Sequence, residues 1–78
     1  METTITLDQL SPGKRGKILR LLSAGSMKRR LMDIGFTEKT DVQCLYRSAA
    51  GDPTAYRVRG TVIALRQEDA RQIAIYGT

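Results

Sequence analysis

The fold is decided by the stretch Tyr56-Arg57-Val58-Arg59-Gly60-Thr61-Val62-Ile63-Ala64-Leu65. Alternating apolar residues on both sides of Arg59-Gly60 predict two antiparallel strands joined by a two-residue turn, in which Gly60 supplies a positive φ. The turn sets the register, so that Val58 faces Thr61 and Tyr56 faces Ile63. The expected inner face carries Tyr56, Val58, Thr61, Ile63 and Leu65, and the outer face carries Arg57, Val62 and Ala64.

Further strand patterns lie on both sides of this hairpin. Residues 40–47 alternate, and the side chains expected on their inner face are Val42, Cys44 and Tyr46. Residues 16–22 form an apolar strand whose alternation is ambiguous, because Ile18 and Leu22 would share one face while Leu19 and Leu21 share the other. Gly51-Asp52-Pro53 is a turn signal between strands.

The C-terminal part predicts a short helical turn over residues 66–72 with Ala70 inward, followed by a last strand that contains Ile73 and Ile75. The chain is therefore predicted to be one mainly-β domain over residues 1–78, a small SH3-like β-barrel of about five strands with one short inserted α-helix. Closure of the barrel would remove exposed strand edges. A split α+β sandwich is the alternative.

The inserted helix is predicted over residues 27–34. Its apolar positions recur at i, i+4 and i+7, which places on one face Met27, Leu31 and Ile34. Ser26 is the expected N-cap, because its hydroxyl can accept from the free amides of the first turn. Gly35 fits the left-handed position at a helix stop, with Phe36 packing back on Leu31.

Composition narrows the classes of function. The chain has 78 residues, no histidine and one cysteine, Cys44. It can form no internal disulfide, and it lacks the four Cys or His ligands of a structural zinc site. No Ser or Cys has an evident base and no two carboxylates share a helix face, so we predict no catalytic residue, no cofactor site and no metal site. Cys44 is expected to be a small core residue.

Nothing in the sequence resembles a targeting or membrane-spanning segment. Residues 1–6 are short and polar, unlike a secretory signal. No apolar run reaches the roughly 18 residues of a transmembrane helix. Together with the free thiol, these features predict a cytoplasmic protein that does not insert into a membrane.

The charge of the chain indicates an acidic partner. Thirteen Lys and Arg against eight Asp and Glu give a net charge of +5, which suits nucleic acid, an anionic membrane surface or an acidic protein. Three of the cations, Lys28, Arg29 and Arg30, are expected in the first helical turn, where the helix dipole disfavours each by about 0.3–1 kcal/mol. Local rules tend to break at functional sites, so this triplet is a candidate partner contact. The alternative is a solvated surface whose penalty is screened by salt.

Several short motifs, in their order and spacing, resemble the FeoA family. They are Leu10-Ser11-Pro12-Gly13, Ile18, Arg30-Leu31-Met32-Asp33-Ile34-Gly35-Phe36, Gly51-Asp52-Pro53, Arg59-Gly60, and Leu65-Arg66 with Ala70 and Ile73. The resemblance covers nearly the whole chain. Two positions depart from the family pattern: Lys39 stands where glycine is usual, which is expected to alter the turn, and Ser48-Ala49-Ala50 replaces the usual Ala-Pro-Leu.

FeoA proteins are small cytoplasmic SH3-like proteins that accompany the membrane ferrous iron transporter FeoB. The resemblance therefore implies a non-enzymatic accessory or regulatory protein of ferrous iron uptake that binds the cytoplasmic part of a FeoB-like transporter, which includes a GTP-hydrolysing domain. Asp52, in a loop that differs from the family pattern, is a second candidate contact. A related SH3-like module ends some iron-dependent repressors, so a regulatory or nucleic-acid-binding module is the alternative. Specific nucleic-acid binding is not expected, because few aromatic side chains are available for stacking.

Overall fold

A computed structural model describes residues 3–77 and contains one antiparallel sheet with short helices. The strands are β1 (Thr3–Thr6), β2 (Arg15–Leu21), β3 (Asp41–Arg47), β4 (Thr54–Val58), β5 (Thr61–Leu65) and β6 (Ile73–Gly77). The helices are α1 (Gly25–Ile34), α2 (Gln67–Ala70) and a single 3-10 turn (Leu7–Gln9). The predicted fold class, mainly β with one inserted α-helix, is confirmed.

The described sheet has six strands in the order β1-β6-β2-β3-β4-β5. The sequence predicted about five, and the additional strand is β1. It pairs antiparallel with β6, so that Ile5 lies opposite Ile75. Ile5 is the one apolar residue among the four that precede Leu7, which is too few to show an alternating pattern.

The predicted register of the β4–β5 hairpin is confirmed. Val58 pairs with Thr61, and Tyr56 pairs with Ile63. Both turn residues have positive φ, +52° at Arg59 and +74° at Gly60, as a type I′ turn requires. The sequence predicted this conformation for Gly60 but not for Arg59.

A one-residue bulge in β3 changes the face on which Tyr46 lies. Cys44 pairs with Tyr56 and Tyr46 pairs with Ala55, which leaves Leu45 as an extra residue on β3. Tyr46 is consequently 61% exposed, and its predicted place on the inner face is wrong. The predicted inward positions of Val42 and Cys44 are confirmed, because both are buried.

A second bulge lies in β2, between Ile18 and Arg20. It explains the ambiguous alternation of this strand. Ile18 is buried and Leu21 packs against the same core although they are three positions apart, whereas Leu22 is exposed.

Helix α1 begins earlier than the sequence predicted. Its N-cap is Ala24, with no side-chain hydrogen bond, and Ser26 lies inside the first turn, so the prediction of Ser26 as N-cap is wrong. The predicted stop is confirmed: Gly35 has a φ of +129°, and the Phe36 N–H donates to the Leu31 carbonyl oxygen at 3.0 Å.

The core is formed by side chains from the inner face of the sheet, from α1 and α2, and from the 3-10 turn. Its fully buried side chains include Leu7, Ile18, Leu31, Phe36, Val42, Cys44, Tyr56, Val58, Ile73 and Ile75. Met27 and Ile34 of α1 are partly buried and pack against this cluster, which confirms the predicted apolar face. Ala70 of α2 is also buried, as predicted.

Two titratable groups lie in this core. The Tyr56 hydroxyl donates to the Leu7 carbonyl oxygen at 3.4 Å, and burial raises the pKa of Tyr56 to about 12. Burial also raises the pKa of the Cys44 thiol, against a smaller opposing effect of Arg47. A buried thiol whose charged form is disfavoured is a poor nucleophile, in agreement with the predicted core role of Cys44.

Candidate interaction surfaces

The cationic triplet Lys28, Arg29 and Arg30 lies on the solvent side of α1. All three side chains are exposed, and within residues 3–77 none of them has a hydrogen bond or an ion pair. Because α1 begins at Gly25, only Lys28 lies in the first turn, whereas Arg29 and Arg30 follow in the second. The effect of the helix dipole falls off within one turn, so the predicted conflict with the dipole applies to one cation only.

Asp52 has a clear structural contact in the loop between β3 and β4. Its Oδ1 accepts a hydrogen bond from the N–H of Gln67, the first residue of α2, at 2.9 Å. This carboxylate therefore satisfies an amide that has no partner inside the helix. The structure joins Asp52 to α2, and among the described residues no hydrogen bond or ion pair connects it to the triplet on α1.

A second cationic surface, which we call the arginine groove, is assembled on the outer face of the sheet. It has a volume of about 460 Å³ and is lined by Arg15, Asp41, Val42, Gln43, Arg57, Arg59 and Gly60. Strand pairing brings these side chains together: Arg15 of β2 lies opposite Gln43 of β3, which lies opposite Arg57 of β4. Directly paired residues share a face, so the three form one row across the sheet.

Among the residues that line the arginine groove, Asp41 is the only acidic one. The carboxylate of Asp41 is 3.1 Å from the Nζ of Lys17, and both side chains are largely exposed. An exposed pair of this kind contributes little to stability, about 0–1 kcal/mol. The lining residues together with Lys17 therefore carry four cations and one carboxylate.

Arg59 is held in place from two sides. Its Nη2 donates to the Thr37 hydroxyl at 3.2 Å, and that hydroxyl is 2.8 Å from the hydroxyl of Thr40. The aliphatic stem of Arg59 lies over Gly35, where an added Cβ would come within 3.2 Å of Arg59 Cδ. The end of α1 thus positions an arginine of the β4–β5 turn.

The arginine groove has no continuous signature in the sequence, although part of its pattern is visible there. Arg57 was correctly placed on the outer face of the hairpin, and Arg59 lies two residues further along the chain. Arg15 comes from β2, which is distant in sequence. Only the strand order and register bring Arg15 to the row that contains Arg57, and neither can be derived from local spacing.

Comparison with known proteins identifies the family. A model of the FeoA domain matches residues 5–76 of this chain. The chain belongs to the FeoA family. A curated relative, the Fe(2+) transport protein A/Fe(2+) transporter FeoB fusion protein of Porphyromonas gingivalis (strain ATCC BAA-308 / W83), is 28% identical over 69 residues. The match covers 88% of this chain and only 8% of the fusion protein.

Solved structures share this fold. The solution structure of iron(II) transport protein A from Clostridium thermocellum has a TM-score of 0.90 and 26% identity, covering 95% of this chain and 46% of that one. A zinc complex of FeoA from Stenotrophomonas maltophilia, described as a prokaryotic SH3 domain protein, has a TM-score of 0.82 and 23% identity, covering 91% and 88%. The SH3-like fold predicted from the sequence is thereby confirmed.

The same fold occurs in a regulatory protein. A manganese-dependent transcriptional repressor has a TM-score of 0.85 and 18% identity, and the match covers 100% of this chain and 44% of the repressor. At this level of identity the likeness concerns the fold alone.

The two departures from the FeoA pattern are accommodated in different ways. Lys39 adopts a φ of +67°, the left-handed region that glycine enters without strain, and its N–H donates to the Ile18 carbonyl oxygen at 2.7 Å. The lysine thus takes the backbone conformation that a glycine would supply. The loop that contains Ser48-Ala49-Ala50 is closed by its own hydrogen bonds, from Ser48 N–H to the Pro53 carbonyl and from Gly51 N–H to the Ser48 carbonyl.

Within residues 3–77, no three His, Cys, Asp or Glu side chains gather into a group that could hold a metal ion. None of the helices over the same residues combines the length and apolar character that crossing a membrane requires.

Proposed function

We propose that this chain is a cytoplasmic, non-catalytic accessory protein of ferrous iron uptake that acts by binding the cytoplasmic part of a FeoB-like membrane transporter. The supporting observation is the Porphyromonas gingivalis relative, in which a transport protein A is fused to FeoB. Fusion of two modules gives each a high effective concentration near the other, which favours even a weak association.

The triplet of α1 is the proposed contact with the transporter. Lys28, Arg29 and Arg30 are exposed and adjacent, so they can meet an acidic surface without rearrangement of the core. Charge complementarity of this kind increases the association rate and the salt dependence of binding. The loop at Asp52 is the second candidate contact, although its carboxylate already bonds to Gln67.

The proposed role requires neither catalysis nor a bound cofactor. The chain has no histidine, and its one thiol is buried with a raised pKa. Ferrous iron would pass through the transporter as its cargo and would not be held by this domain. Specific nucleic-acid recognition is not part of the proposal.

The test is a charge reversal on α1. The triple variant Lys28→Glu, Arg29→Glu and Arg30→Glu should melt at or above the temperature of the parent, because the side chains are exposed and an anion near the helix N-terminus is favourable. In a pull-down with the cytoplasmic part of the transporter it should bind weakly, with a flattened dependence on salt. A matched control makes the same change in net charge at exposed positions elsewhere: Lys14→Glu, Arg20→Glu and Arg71→Glu.

Loss of binding in the α1 variant, with binding retained in the matched control, supports the triplet as the contact. Equal loss in both variants would show that only net charge matters. A well-folded α1 variant with unchanged binding would contradict the triplet and direct attention to the Asp52 loop. Failure of the parent chain to bind any cytoplasmic part of the transporter would overturn the proposed function itself.

A further inference from the structure

We infer that the arginine groove binds a carboxylate-rich segment of a protein partner, as a contact distinct from the triplet on α1. Three arginines, Arg15, Arg57 and Arg59, line one concave surface of about 460 Å³. Guanidinium is planar, always charged at neutral pH and able to donate two parallel hydrogen bonds to one carboxylate. Three such groups on one surface therefore favour an acidic ligand.

The geometry of the row suits an elongated ligand. Arg15, Gln43 and Arg57 lie on three successive strands, which are spaced about 4.8 Å apart. The two arginines are therefore roughly 10 Å apart along the row, with the amide of Gln43 between them. A segment that crosses the strands can place one carboxylate at each arginine and offer a backbone group to Gln43.

A protein segment fits this surface better than nucleic acid does. The lining residues that the structure describes include no aromatic side chain on which a base could stack. Val62, which pairs with Arg57 in the next strand and is 52% exposed, adds an apolar contact that a protein segment can use.

Arg59 supplies an independent observation. Its φ of +52° lies in the left-handed region, which is uncommon for residues other than Gly, Asn and Asp. Its side chain is nevertheless fixed by the hydrogen bond to Thr37 and by packing over Gly35. Strained residues held by their surroundings occur preferentially at functional sites, and a guanidinium ordered in advance loses less entropy when a ligand binds.

This inference rests on the proposed function only for the identity of the partner, which would be the transporter. The chemistry of the groove can be tested without it. The first probe is a fluorescein-labelled peptide of alternating glutamate and serine, titrated with the full chain at about 150 mM salt, where weak surface attraction is largely screened. A labelled mixed-sequence DNA duplex is the second probe.

The test variant is Arg15→Gln with Arg57→Gln, because both side chains are exposed and thermal melting should confirm an intact fold. Arg59 is left unchanged, since its stem packs over Gly35.

The control variant, Arg20→Gln with Arg71→Gln, removes the same charge at exposed positions outside the groove. The peptide should bind the test variant at least about tenfold more weakly than the parent and the control within about twofold. Arg57→Lys keeps the positive charge but loses the paired N–H donors of the guanidinium. It should therefore weaken peptide binding by an amount between those of the control and test variants.

Several results would overturn the inference. They are equal weakening by the test and control variants, tighter binding of the duplex than of the peptide, and no binding of the peptide to the parent chain.

A pull-down with the cytoplasmic part of the transporter then separates the two proposals. If the transporter binds the parent and the test variant equally, the groove is not the contact while the proposed function stands. If the transporter does not bind the parent, the proposed function fails and the peptide titration alone decides the chemistry of the groove.

Discussion

Neighbouring residues of the β4–β5 hairpin lie on opposite faces of the sheet, and the two faces differ in chemistry. On the inner face, Tyr56 and Val58 are fully buried. Arg57, which lies between them, points to the opposite side and lines the arginine groove. Alternation along a strand thus places one neighbour in the core and the other on the groove of the outer face. Substitutions on the two faces should accordingly have separable effects.

The largest expected difference between the faces is in β5. Leu65 is buried and Val62 is about half exposed on the other face. Leu65→Ala should lower the free energy of unfolding by about 2–5 kcal/mol, because it leaves a cavity in the core, whereas Val62→Ala should change it by at most about 0.5 kcal/mol. Urea unfolding followed by circular dichroism measures both. Similar losses for the two variants would show that the assignment of faces is wrong.

A second difference should appear at alkaline pH. The pKa of Tyr56 is raised from 10.0 to about 12 by burial, so the unfolded chain loses this proton at lower pH than the folded protein does. The stabilisation is complete below pH 10 and is lost as the pH rises through about 12, a total of roughly 2–3 kcal/mol. Unfolding free energies measured over this range should fall in the parent and fall less in Tyr56→Phe.

Tyr46 provides the control for this alkaline effect, because it is a tyrosine of the same sheet with an exposed side chain. Tyr46→Phe should leave the decline unchanged. The raised pKa of the Cys44 thiol acts in the same direction, so a small residual decline in Tyr56→Phe is expected. An identical pH dependence of the parent and Tyr56→Phe would contradict the buried, protonated state of this hydroxyl.

The smallest expected effect concerns the residue that the β3 bulge moves to the outer side. Simple alternation places Tyr46 beside Val42 and Cys44 in the core, where truncation of an aromatic residue would cost about 3–5 kcal/mol. The structure leaves Tyr46 61% exposed, so Tyr46→Ala should change the free energy of unfolding by only about 0.5 kcal/mol. A large loss, measured by the same urea titration, would mean that the bulge is absent in solution.

Local chemistry allowed most of the fold to be predicted. Arg59-Gly60 defined a hairpin, its register and its buried face, and Gly35 defined the end of α1 because few other residues take a positive φ. The two bulges could not be predicted, since an extra residue in one strand depends on the strand beside it. The start of α1 was also missed, because Ala24 caps it without a side-chain hydrogen bond.

The candidate surfaces show the same limit. Lys28, Arg29 and Arg30 are consecutive, so the sequence displays them directly. The arginine groove instead depends on pairing between strands that are distant in the chain. A cluster of this kind requires the strand order, which composition and periodicity do not contain.

The packing of Arg59 over Gly35 has a consequence for the evolution of this chain. A Cβ at position 35 would lie 3.2 Å from the Cδ of Arg59. The side chains at the two positions would therefore compete for the same space. A homologue that acquires a larger residue at position 35 needs a shorter one at position 59, and it must also tolerate the positive φ of the helix stop. Substitutions at these two positions should therefore be correlated among homologues, although one ends a helix and the other belongs to a hairpin turn.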